Sequence, residues 1–237
     1  MKEKHKQFLP NILTLINMFL GFLAIALLLN NDPVNAGIAV IFAGMLDVFD
    51  GKIARLLGIE SKFGMEFDSM ADTVSFCVSP SLMVYSTYVE GLNPLLALSI
   101  SFMPLMFGTI RLARNNLNQN LKKENIYNEG LTTPIAALAL FSYLFFNEKM
   151  FNSYGDPRTA LLFVALISLL MVSPIPFPQK FPQISFKYGR ENSILLLIAI
   201  FSLIGIIIFK GLLLFPIIIL FLSWNMIHWL IHSQKKY

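Results

Sequence analysis

The sequence predicts an all-α integral membrane protein of about eight transmembrane helices, folded as one domain over residues 1–237. Three observations carry that prediction. First, 56% of the residues are hydrophobic and 14% charged, with a mean hydropathy of +0.66, whereas a soluble domain carries about a quarter charged residues. Second, apolar runs near the length of about 20 residues needed to cross a bilayer recur along the chain, with no polar low-complexity linker between them. Third, 15 of the 18 Lys and Arg residues fall on alternate connections, leaving Lys149, Arg158 and Lys210 for the others.

The elements follow in order. MKEKHKQFLPN is basic and lacks a small-residue cleavage site, so the run from about Leu13 to Leu29 reads as a first span and not a removed signal peptide. Further spans are predicted at about 36–57, 63–89, 94–112, 134–146, 159–172, 194–209 and 212–231. An even count puts both termini on the Lys/Arg-rich side, which the positive-inside rule makes cytoplasmic. The net charge of +4 sits mostly in loops facing anionic headgroups, which indicates membrane contact and no nucleic acid. Cys77 is the single cysteine, excluding an intramolecular disulfide and a Cys-based metal site. No convincing internal repeat is present, which weighs against an inverted-repeat transporter.

The second and third spans carry the chemistry. Residues 47–72, DVFDGKIARLLGIESKFGMEFDSMAD, hold six of the fourteen acidic residues. Asp47 and Asp50 are spaced i, i+3, and Asp68 and Asp72 i, i+4, so each pair shares a helix face. A short turn joins the two helices, so each presents two carboxylates to the other at the cytoplasmic surface. Four carboxylates converging at low dielectric cannot all stay ionised unaided; they take up protons or bind cations. An oxygen-only ligand set selects hard ions such as Mg²⁺, Mn²⁺ or Ca²⁺. Four charges match two divalent cations, an arrangement suited to phosphoryl transfer. Gly51, Ala54 and Gly64 leave room for a ligand, and Arg55 is placed to fork onto a phosphate. Glu60 and Glu66 fall outside the spacing and read as polar residues around the turn.

The string Asp47-x2-Asp50-Gly51-x2-Ala54-Arg55-x8-Gly64-x3-Asp68-x3-Asp72 resembles the signature of the CDP-alcohol phosphatidyltransferases. Other strings resemble the phosphatidylserine synthase branch of that family: LPNILTLINMFLGF at 9–22, DSMADTVSFCVSPS at 68–81, IRLARNN at 110–116, GLTTPIAA at 130–137, LMVSPIPFP at 170–178 and SFK at 185–187. Cys77 stands where the branch usually has Gly, Asn115 where it has Phe, and Thr132 where it has Pro.

The resemblance implies a six-helix core over about 9–187 plus two C-terminal helices over about 190–233. It implies transfer of a phosphatidyl or archaetidyl group from CDP-diacylglycerol or CDP-archaeol to L-serine, with release of CMP. Asp47, Asp50, Asp68 and Asp72 would hold two divalent cations, Mg²⁺ or Mn²⁺, with Ca²⁺ as a further occupant, and Asp72 would also be the general base. Gly51, Ala54, Arg55 and Gly64 would line the CDP pocket, joined by Asn11 and Thr14. A homodimer in the cell membrane, with its active site cytoplasmic, is also implied. For the serine carboxylate or a phosphate, Arg111, Arg114 and Lys187 are candidates; the first two share a helix face. Pro80 is expected to kink the third span and open a cleft to lipid. Two alternatives stand: a same-fold transferase acting on glycerol phosphate or inositol phosphate, and a cation transporter using the carboxylates as an ion site.

Overall fold

The computed structural model describes residues 8–57, 61–120, 127–178 and 212–233. The helices are α1 (Phe8–Leu29), α2 (Pro33–Leu57), α3 (Lys62–Asp72), a π-helical turn (Thr73–Val78), α4 (Ser79–Tyr88), α5 (Pro94–Asn120), α6 (Thr133–Phe151), α7 (Pro157–Val172) and α8 (Leu214–Ser233). Two short strands, β1 (Tyr127–Glu129) and β2 (Pro176–Pro178), pair antiparallel, Asn128 opposite Phe177. They tie the connection before α6 to the one after α7.

The architecture is the expected helical one. Three described helices are long and apolar enough to cross a membrane: Pro10–Leu29, Pro94–Leu117 and Leu214–Ile231. Pro33–Phe49 and Pro157–Val172 are shorter apolar helices. The predicted span at 194–209 lies outside the described residues, so eight spans are an expectation and three candidates are what the described helices supply. The surface suits lipid: Phe19 and Phe22 on α1, Leu95 and Phe102 on α5, Leu162 on α7 and Leu220 on α8 are all exposed. Polar residues lie inside: Asn17, Ser75, Ser79, Thr133 and Ser168 are fully buried.

Helix starts follow local chemistry. Asp32 Oδ1 accepts the Asn35 backbone N–H at 3.1 Å ahead of α2. Ser61 caps α3, its Oγ accepting from the Gly64 N–H at 3.0 Å, and Asp156 caps α7 through the Thr159 N–H.

The third span is helical without a break, from α3 through the π turn into α4. Pro80, at the start of α4, can donate no backbone bond. Just before it the ladder shifts to i−5, the Ser79 N–H reaching the Val74 carbonyl. Pro80 itself is buried against the protein interior. α1 lies tight against the π turn. A Cβ on Gly21 would collide with Ser75, backbone included. Ser75 Oγ donates to the Asn17 carbonyl at 3.0 Å, and Ser79 Oγ to the Gly21 carbonyl at 3.1 Å. Small residues and inter-helix hydrogen bonds are the usual means of close helix packing in lipid. On the other side, Ser81 Oγ accepts the Leu105 N–H at 2.9 Å, beside the in-helix Pro104. The aspartate-bearing span is thereby held from both sides.

Candidate active site

Three of the predicted carboxylates meet. Asp47 from α2 and Asp68 and Asp72 from α3 each offer an oxygen, and these atoms all lie within 4.8 Å of one another. Asp47 and Asp68 are half-buried; Asp72 is 8% exposed. At such separations like charges repel strongly in a low-dielectric setting. A hard divalent cation fits the donor set, which is all oxygen. Asp50, Ala54 and Arg55 lie on α2, one to two turns beyond Asp47, but their side chains are outside those described. Lys187 is outside the described residues altogether.

Two of the predicted nucleotide-pocket residues, Asn11 on α1 and Gly64 on α3, are neighbours. A Cβ on Gly64 would stand 3.2 Å from Ser61 Oγ and 3.7 Å from Asn11 Oδ1. Asn11 is thus next to Gly64, and the glycine keeps the α3 N-terminus open. Thr14 is buried and its hydroxyl donates to the Pro10 carbonyl at 3.1 Å, one turn back in its own helix. Gly51 is half-buried on α2.

The arginine helix is bonded to the aspartate helix. Ser69 Oγ donates to Asn116 Oδ1 at 3.1 Å, and Asn116 Nδ2 donates to Glu66 Oε2 at 3.4 Å. Glu66, which falls outside the aspartate spacing, therefore helps orient α5 against α3. Arg111 is 6% exposed and lies within electrostatic reach of Asp72, Asp47 and Cys77. Arg114, one turn on, is half-buried.

Behind Asp72, Gly108 lets α5 approach the π turn closely. A Cβ on Gly108 would stand 2.5 Å from Cys77 Sγ and 3.5 Å from Thr133 Cγ2. The π turn makes this possible. In an α-helix a residue five positions on points about 140° away; one extra residue in the turn returns Cys77 toward the face of Asp72. Two polar side chains here were not singled out from the sequence: Thr133, and Asn17 on the α1 face against the π turn. Both are 0% exposed, and Thr133 Oγ1 and both amide atoms of Asn17 have no hydrogen-bond partner. The available signal was a lone polar residue inside an apolar stretch.

A helical protein with candidate membrane spans thus brings together three carboxylates that could hold a metal ion, with a buried arginine in electrostatic reach. The CDP-alcohol phosphatidyltransferase family model matches residues 7–230, and the chain belongs to that family. It is 34% identical over 228 residues to a CDP-diacylglycerol–serine O-phosphatidyltransferase of Helicobacter pylori, covering 95% of this chain and 92% of that one. Proteins of the same name from Bacillus subtilis and Methanocaldococcus jannaschii are 32% and 30% identical, covering 78% and 84% of this chain and 99% and 92% of theirs.

Proposed function

We propose that the protein transfers the phosphatidyl group of CDP-diacylglycerol to the hydroxyl of L-serine, giving phosphatidylserine and CMP. The convergence of Asp47, Asp68 and Asp72 is the observation that carries the transfer chemistry; the names of the relatives support serine as acceptor. Asp47, Asp50, Asp68 and Asp72 would hold two divalent cations, Mg²⁺ or Mn²⁺, supplying Lewis-acid polarisation of the pyrophosphate. Asp72 accepts the serine hydroxyl proton as that oxygen attacks the lipid-side phosphorus. The bond from that phosphorus to the bridging oxygen breaks, CMP leaves with the electron pair, and the proton passes to solvent. Gly51, Ala54, Arg55, Gly64, Asn11 and Thr14 surround the CDP moiety. Arg111 holds the acceptor carboxylate, with Arg114 and Lys187 supporting the anionic groups at the rim. The Lys/Arg asymmetry supports a cytoplasmic site and cytoplasmic termini.

The test is a panel of single alcohols offered to the purified protein with CDP-diacylglycerol and Mg²⁺ or Mn²⁺. CMP should appear with L-serine and not with glycerol 3-phosphate or inositol phosphate. Release with a phosphorylated alcohol instead would reassign the acceptor.

A further inference from the structure

Buried polar atoms in native proteins almost always find a partner, and those that do not mark a place for water or a ligand. Two such atoms belong to residues near Gly108. Thr133 Oγ1, at the start of α6, is one; Arg111 Nε, one turn beyond Gly108 on α5, is the other. Residues 108 and 111 share a helix face, and the Thr133 methyl carbon is 3.5 Å from where a Gly108 Cβ would stand. Cys77 Sγ occupies the other side of the same spot. Asp72 is within electrostatic reach of Arg111 and Cys77.

The chemistry of this spot is directional. Arg111 Nε–H is only a donor, and the Thr133 hydroxyl has a proton to give. Two buried, unpaired donors on helices that meet near a carboxylate cluster suit a small anionic group attached to a short chain, and a phosphate monoester needs more cationic donors than one guanidinium edge. The volume a Gly108 side chain would occupy is already taken by Cys77.

Resting on serine as acceptor, we propose that Thr133 is an acceptor-recognition residue, its hydroxyl and Arg111 Nε–H together receiving the amino-acid carboxylate, with Cys77 filling the space beside Gly108. Thr133 thereby holds the acceptor with its hydroxyl facing Asp72, and an alcohol lacking a carboxylate leaves both donors unpaired.

Thr133→Val keeps the shape and removes the hydroxyl; Thr133→Ser keeps the hydroxyl and removes the methyl. Steady-state CMP release should show the KM for L-serine raised about tenfold or more in Thr133→Val. The KM for CDP-diacylglycerol should stay within about twofold, and Thr133→Ser should restore serine affinity. The CDP-diacylglycerol KM reports whether the variant is folded. Unchanged serine KM in Thr133→Val, or equal rises in both KM values, overturns the role of Thr133 while leaving serine as the acceptor. Wild-type protein that releases no CMP with serine overturns the acceptor reading and this inference with it.

Discussion

At the scale of single residues, the site divides by what each side chain offers. Asp72 is the most buried of the three described carboxylates and the one within electrostatic reach of both Arg111 and Cys77. Asp72→Asn keeps its size and removes its basicity. Turnover should fall by about 10²-fold or more, as expected when a positioned proton acceptor is lost. A variant with full kcat would reassign the base. Arg111→Lys keeps the charge and loses the planar fork, so the serine KM should rise well above that for CDP-diacylglycerol. Equal rises would place Arg111 at a phosphate. The aspartates and Arg111 were legible in the sequence because their spacings are local and place them on shared faces. The bond of Glu66, an exposed polar residue as expected, is hidden from the sequence for the opposite reason: its partner, Asn116, lies fifty residues away. Nothing within one helix announces such a bond. Thr133 and Asn17 were passed over likewise, because a buried polar atom is recognisable only once its surroundings are known.

At the scale of elements, the π turn is the feature that the sequence concealed. Pro80 announced an interruption in the third span, and a lipid-opening kink was the expectation. The chain answers with a turn one residue wider, which leaves Pro80 buried and rotates Cys77 toward Asp72. α5 adapts to it with Gly108. Gly108→Ala should lower the thermal midpoint and the activity together, by about 1–3 kcal/mol of stability, since Cys77 Sγ lies 2.5 Å from the new methyl. Adding Cys77→Gly should recover much of that loss, and a double-mutant cycle measures the coupling. Additive losses would show that the two positions do not share this space. On the α1 side, Gly21 leaves no room at all against Ser75, so the same span is fixed twice by absent side chains.

At the scale of the whole molecule, large apolar side chains stay exposed around an apolar core that also buries polar residues such as Asn17, Ser75 and Thr133, as suits a lipid surround. The hydropathy pattern made the all-helical architecture legible, since each span must satisfy its backbone internally. It did not yield the joining of distant connections by β1 and β2, because strands of three residues leave no periodic trace. The carboxylate cluster is the charge problem that a cation would resolve. Chelation by EDTA should therefore abolish CMP release, with Mg²⁺ or Mn²⁺ restoring it and monovalent salt of equal ionic strength failing to. Activity that survives thorough chelation would exclude the metal-assisted route. The most direct measurement follows radiolabelled L-serine into lipid, using purified protein, CDP-diacylglycerol and a divalent cation, for wild type and Asp68→Asn side by side. Wild type should move the label into the lipid phase in step with CMP release, and Asp68→Asn should not; label transfer at equal rates in both, or none in wild type, would contradict phosphatidyl transfer to serine at this carboxylate cluster.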